Sequence, residues 1–181
     1  METLLLSDHC PDDIQRAGDI LRRGGLVAIP TETVYGLAAN ALDGEAVKKI
    51  YQAKGRPSDN PLIVHISRFS QLAPLVKEVP ESAQKLAAAF WPGPLTIILP
   101  KSDVIPQQTS GGLDTVAVRC PSHPTARAVI DAAGVPLADA LVRRIVGEKA
   151  AAAYVRNMVQ LHMKPNALVG ADACVKASHR M

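Results

Sequence analysis

Residues Pro30 to Ile66, PTETVYGLAANALDGEAVKKIYQAKGRPSDNPLIVHI, decide the fold: an apolar strand runs into this stretch, a helix sits in its middle, and a second apolar strand leaves it. The incoming strand is Leu26-Val27-Ala28-Ile29, closed by Pro30. Two threonines, a carboxylate and a tyrosine follow at once (Thr31, Glu32, Thr33, Tyr35), and Gly36 permits a turn. Hydroxyls at a strand's end, beside a glycine, are well placed to hold a small polar ligand.

The helix spans Gly44 to Lys54, with Ala46, Val47, Ile50 and Tyr51 on one buried face. Gly55 stops it and Pro57 keeps it stopped. Lys54 and Arg56 flank that stop, where both side chains can be aimed at one anion, and Ser58, Asp59 and Asn60 add polar groups. The composition suits phosphate handling, although no Walker-type G-x-x-x-x-G-K-[ST] loop occurs. The outgoing strand, Leu62 to Ile66, carries one imidazole, His65, inside an apolar run. Each feature also has a structural reading. Lys-Gly-Arg can be a helix end matched to its dipole, His65 a satisfied core histidine, and the threonines simple strand formers.

Outside this stretch, Asp12 to Arg23 reads as a first helix, with Ile14, Ala17, Ile20 and Leu21 on its face and Gly24-Gly25 as its end. Ser82 to Phe90 is a helix broken by Trp91-Pro92-Gly93-Pro94, and Leu95 to Leu99 a strand. Thr109-Ser110-Gly111-Gly112 reads as a flexible, hydroxyl-rich turn before the strand Thr115 to Arg119, and Pro124 to Ala133 returns to helix. Helices alternating with short apolar strands indicate an α/β domain with a twisted open sheet and flanking helices.

The chain has 181 residues, 48% hydrophobic and 20% charged, a globular balance that suits one domain with a sizeable core. No apolar run approaches the ~20 residues of a membrane helix. The first residues, METLLL, lack the features of a signal peptide, so a cytoplasmic location is expected. Cys10, Cys120 and Cys174 lie far apart without metal-ligand spacing, which points to reduced thiols and against a zinc site. Cys120 reads as a small buried apolar residue. The formal charge of +3 is unevenly spread: residues 1–138 hold 13 Lys/Arg against 14 Asp/Glu, a net of −1, and residues 139–181 hold 7 against 3, a net of +4. The charge therefore gives no support for an RNA-binding face on the main domain.

PTETVYGLAANA followed by KGRPSDNPLIVHI resembles the YrdC family of threonylcarbamoyl-adenylate synthases in order and spacing. The resemblance extends through FWPGPLTIIL (Phe90 to Leu99) and TVAVRCPSHP (Thr115 to Pro124) to Pro136-Leu137-Ala138. It implies a YrdC-like sheet of mixed parallel and antiparallel strands around a concave site. It also implies an enzyme that combines L-threonine, bicarbonate and ATP into threonylcarbamoyl-adenylate and pyrophosphate, for threonylcarbamoyladenosine formation in tRNA.

By the same resemblance, Lys54 and Arg56 would neutralise phosphate charge as catalytic and ATP-binding residues. Thr33, His65 and Arg119 would contact threonine, and Asn60 and Thr115 the nucleotide. Mg2+ is expected with ATP, without a protein-bound metal or organic cofactor. Downstream threonylcarbamoyl-transferase proteins and possible tRNA or other RNA complete the implied partners. Two rival readings are an RNA-binding module of the same fold, for which the three Tyr, two Phe and one Trp offer few stacking platforms, and a relative that handles carbamoyl-adenylate.

After Ala138 the sequence departs from the family pattern, which runs into a Ser-x-Asn motif. Here Asp139-Ala140-Leu141-Val142-Arg143-Arg144 follows instead. The expected organisation is a YrdC-like domain over 1–138, incomplete at its C-terminus, and an unrelated or rearranged, mainly helical tail over 139–181, with Glu148 to Leu161 as its helix. Ala153 to Pro165 resembles a helix of the HD-type domain of tRNA nucleotidyltransferases, but no His-Asp pair accompanies His162 and no site is carried over. Loss of the Ser-x-Asn segment is expected to impair folding and activity.

Overall fold

The computed structural model describes residues 4–55, 60–141 and 167–169. In chain order these form β1 (Leu4–Leu6), α1 (Pro11–Arg22), β2 (Val27–Pro30), β3 (Tyr35–Asn40), α2 (Gly44–Lys54), β4 (Ile63–His65), α3 (Glu81–Phe90), β5 (Thr96–Pro100), α4 (Gln107–Ser110), β6 (Thr115–Arg119), α5 (Pro124–Ala133), β7 (Leu137–Leu141) and β8 (Ala167–Val169). Short 3-10 turns cover Phe69–Gln71 and Ala73–Leu75.

Local chemistry sets most of these boundaries. The side chain of Asp43 accepts hydrogen bonds from the backbone of Glu45 and Ala46 and starts α2, while Gly55 ends it in the left-handed region at φ 59°. Helix α5 begins with Pro124 at its first position and ends at Gly134, also left-handed. Both helices keep the boundaries expected from sequence, as does β6.

Among the described residues the strands make one eight-stranded sheet in the order β1-β8-β2-β3-β7-β4-β6-β5. The β1–β8, β2–β8 and β4–β6 pairs are parallel, and the β2–β3, β3–β7, β4–β7 and β5–β6 pairs antiparallel. The mixed open sheet with flanking helices is the expected architecture. Strand β7 runs across the boundary at Ala138 expected from sequence, and β8 comes from the distal part of the chain. The expected helix over Glu148 to Leu161 lies outside the described residues.

Strand alternation divides the core in two. One face carries Val27, Ile29, Ala38 and Leu137 under α1 and α5, which contribute Ala17, Leu21, Ala126, Val129, Ile130 and Ala133. The other carries Leu37, Ala39, Val64, Val116, Val118 and Ala138 under α2 and α3. Burial of each large aliphatic side chain contributes roughly 1.5–3 kcal/mol, so helices on both faces hold the central strands rigidly.

Two local expectations are corrected. Gly36 lies within β3, paired with Ile29, and is not a turn residue. Thr109 and Ser110 belong to the short helix α4 and are buried, and only Gly111 and Gly112 of the expected turn form one. The Thr109 hydroxyl donates to the Ala41 carbonyl at 2.7 Å, which is how a polar side chain is accommodated there.

Candidate active site

The sheet registers bring distant residues onto one face. His65 on β4 lies opposite Arg119 on β6 and Leu137 on β7, while Ile63 lies opposite Ala117 and Asp139. Because side chains alternate, Thr115, Ala117 and Arg119, Ile63 and His65, and Asp139 share the face that α1 and α5 cover further along. The helices do not cover all of it: Thr115, Ala117 and Ile63 are only half-buried. The next strand adds Ile98, in register with Ala117 and 66% exposed. A partly open floor thus lies beside His65, Arg119 and Asp139.

The turn between β2 and β3 forms one wall. Thr31 holds it together: its hydroxyl donates to the Val34 carbonyl at 2.6 Å and accepts the Val34 amide at 3.2 Å. Thr33 is left to face the sheet, and its hydroxyl accepts from an Arg119 Nη2 at 3.3 Å. The same nitrogen is 2.8 Å from the Glu32 carboxylate. Burial pushes the Glu32 carboxyl up, but hydrogen bonding and charge from Arg119 outweigh it and leave the group below its ordinary value. Arg119, itself buried, thereby ties the end of β6 to the β2–β3 turn.

His65 and Asp139 stand side by side, with Nε2 and Oδ2 3.7 Å apart and both side chains 1% exposed. Both ring nitrogens of His65, both carboxylate oxygens of Asp139 and the Arg119 Nε lack hydrogen-bond partners among the described residues. Burial, reinforced by the Arg119 charge, pulls His65 down to about 3, so its imidazole is neutral. Burial pushes Asp139 up to about 7 against the opposing attraction of Lys54 and Arg119.

Thr33, His65 and Arg119 therefore come together, and the charge of Lys54, the last residue of α2, is felt at the same place. Thr115 shares the face. Asn60 offers its backbone carbonyl to the Tyr51 hydroxyl at 2.7 Å and is exposed. Arg56 lies outside the described residues. Glu32 and Asp139 were not among the candidate site residues. An acid within the short apolar run Leu137 to Leu141 is the signal for Asp139, of the same kind that singles out His65. Cys120 is buried and its thiol pushed up by that burial, as fits a packing residue. No cluster of three or more potential metal-ligating side chains occurs among the described residues.

Comparison with known proteins identifies the family and several relatives. The Sua5/YciO/YrdC family model, described by the words "Telomere recombination", matches residues 19–143. Threonylcarbamoyl-AMP synthase of Pyrococcus abyssi is 60% identical over 125 residues, which cover 69% of this chain and 37% of that protein. The Bacillus subtilis protein of the same name is 56% identical over 134 residues, covering 74% of this chain and 38% of its own length. The chain thus spans little more than a third of these two relatives. The crystal structure of P. abyssi Sua5 complexed with L-threonine superposes with a TM-score of 0.83 at 44% identity, over 93% of this chain and 50% of that one. With a family model matching well over half of its residues, the chain belongs to the Sua5/YciO/YrdC family.

Proposed function

We propose that the chain forms L-threonylcarbamoyladenylate and pyrophosphate from L-threonine, bicarbonate and ATP, supplying threonylcarbamoyladenosine formation in tRNA. The supporting observation is the convergence of Thr33, His65 and Arg119 on one sheet face, in a chain whose relatives carry the name of that activity and whose structural neighbour was crystallised with L-threonine.

The reaction brings three ligands together. The threonine amine attacks the carbon of bicarbonate, water leaves, and a carbamate oxygen then displaces pyrophosphate from the α-phosphorus of ATP. Positioning and charge neutralisation are what a protein can contribute to such steps. Arg119, oriented by Glu32 and Thr33, offers a fixed guanidinium to a carboxylate. Lys54 and Arg56, at the end of α2 and beyond it, offset the charge of the triphosphate, and Asn60 and Thr115 hold the nucleotide. Mg2+ enters with ATP as part of the substrate. The cytoplasm is the proposed location, and the threonylcarbamoyl-transferase machinery and tRNA take the product onward; no helix among the described residues is long and apolar enough to cross a membrane.

The test is pyrophosphate release by the purified chain. The expected result is release that requires L-threonine, bicarbonate and ATP together and falls strongly in Arg119→Ala. Because this sequence lacks the Ser-x-Asn segment, its rate is expected to lie well below that of a complete relative. Release that requires a carbamoyl donor in place of threonine and bicarbonate would point to the carbamoyl-adenylate reading instead, and absence of release from this chain under conditions in which a complete relative releases pyrophosphate would overturn the proposal.

A further inference from the structure

We infer that Asp139 is an ammonium-binding residue of this site, receiving the α-amino group of the amino-acid substrate jointly with His65. The inference rests on the proposed threonine-dependent activity and adds a residue to Thr33, His65 and Arg119, the threonine contacts that the proposal names.

The observation is an unmet pair. Asp139 is 2% exposed, and its two carboxylate oxygens have no hydrogen-bond partner among the described residues. His65 is 1% exposed, and its two ring nitrogens are equally unpartnered. Buried groups of this kind ordinarily find partners, because leaving them without costs the full price of desolvation. The Asp139 Oδ2 and His65 Nε2 are 3.7 Å apart, too far to satisfy one another and close enough to share one donor. A primary ammonium has three donors and no acceptor, so it can donate to the carboxylate and to the imidazole at once. A primary ammonium also brings a positive charge to the carboxylate, which a hydroxyl does not. On the same face, in register with His65, Arg119 keeps its Nε unpartnered, a donor suited to a carboxylate. An ammonium acceptor beside a carboxylate donor is the pattern that recognises an α-amino acid zwitterion.

The charged and titratable neighbours of Asp139 are His65 on β4, Arg119 on β6, Lys54 at the end of α2 and, beyond Arg119, Glu32 in the β2–β3 turn. On the β3 side it meets Gly36, which offers no charge. Burial pushes the Asp139 carboxyl up to about 7, and its ionised form is the one that binds an ammonium.

The experiment is calorimetric titration of the full-length chain with L-threonine and with 3-hydroxybutyrate, which lacks the amine, at pH 6, 7 and 8. The expected result is about tenfold tighter threonine binding at pH 8 than at pH 6, with 3-hydroxybutyrate far weaker and pH-independent. Asp139→Asn is expected to lose about tenfold or more at pH 8, the scale of a charge-assisted contact, and to abolish the pH dependence. Threonine affinity equal at pH 6 and 8 in wild type, or unchanged by Asp139→Asn, overturns the inference while leaving the proposed function standing. Should Asp139→Asn fail to fold, the wild-type pH series and the 3-hydroxybutyrate comparison decide alone. Absence of threonine binding by wild type at every pH overturns both.

Discussion

The carboxylate of Asp139 occupies the space in which a side chain at Gly36 would begin: a Cβ built on Gly36 overlaps both carboxylate oxygens. The two residues sit on neighbouring strands, Gly36 on β3 and Asp139 on β7, two positions along from direct pairing. Absence of a side chain at 36 is therefore a packing requirement. Gly36 is not among the glycines with positive φ, so backbone freedom does not explain it.

This relationship gives a double-mutant prediction. Gly36→Ala is expected to destabilise the chain by about 1–3 kcal/mol, the usual cost of overpacking. Asp139→Ala is expected to stabilise it by about 1–3 kcal/mol at pH 8, because it removes a buried carboxylate without hydrogen-bond partners among the described residues. In the Asp139→Ala background, Gly36→Ala should cost little, since the obstructing atoms are gone. Urea unfolding of the four proteins measures the coupling. Independent, additive effects would show that Asp139 moves aside and that the overlap does not constrain the fold.

How much of this was legible in advance follows from the same residues. The helices α2 and α5 announce themselves through a glycine stop and a proline start. Strand β3 does not, because Gly36, Ala38 and Ala39 are poor strand formers whose pairing comes from neighbours distant in sequence. The hydroxyl of Thr33 and the imidazole of His65 stand out in the sequence by themselves, their expected role toward threonine and that of Arg119 come from resemblance to a family, and the β4–β6 register that aligns His65 with Arg119 is a tertiary fact. Asp139 escaped because the sequence reading assigns it to the tail beyond the YrdC-like domain. The fold instead buries it without a hydrogen-bond partner among the described residues, the kind of place at which local sequence rules fail.

The pH dependence of stability separates His65 from Asp139. His65 has a folded value of about 3, below its ordinary 6.5, so the stability tied to its neutral form is present above pH 6.5 and lost as pH falls toward 3. Asp139 has a folded value of about 7, above its ordinary 3.8, so its protonated form favours folding at low pH and that contribution is lost as pH rises toward 7. Between about pH 4 and 6.5 the two slopes oppose one another, and wild-type stability is expected to be nearly flat. Asp139→Asn should unmask a rise in stability over that interval, and His65→Asn a fall. Melting temperatures across the series check this; parallel profiles for all three proteins would refute it.

A third prediction concerns α4. The Thr109 hydroxyl is fully buried and donates to the Ala41 carbonyl across 2.7 Å, joining α4 to the segment between β3 and α2. Thr109→Val keeps the shape and removes the donor, leaving a carbonyl without this partner in the interior. The expected loss is about 1–2 kcal/mol by chemical denaturation, whereas Thr109→Ser should lose less because the hydroxyl is retained. A loss in Thr109→Ser as large as that in Thr109→Val would show that the hydrogen bond is not the main contribution of this side chain.

The last prediction separates the anion end of the site from the amino-acid end. Lys54 is the final residue of α2, fixed by the Gly55 stop, and its positive charge already acts on Asp139. If it neutralises a phosphate of ATP, Lys54→Met should weaken ATP binding by about 1.5–3 kcal/mol, the range for a hydrogen bond to a charged group. A second effect has the opposite sign of charge at its origin. Removing Lys54 takes away an attraction that favours the ionised form of Asp139, so the Asp139 carboxyl should move further up and threonine binding should require higher pH. Arg119→Met removes another such attraction together with the guanidinium that ties β6 to the turn, and should therefore weaken threonine binding at every pH while affecting ATP less. Titrating ATP and L-threonine separately into the two variants distinguishes these roles: Lys54→Met is expected to act mainly on ATP, Arg119→Met mainly on threonine. Identical losses of both ligands in both variants would mean that the two cations support a common structure and that neither one belongs to a particular substrate.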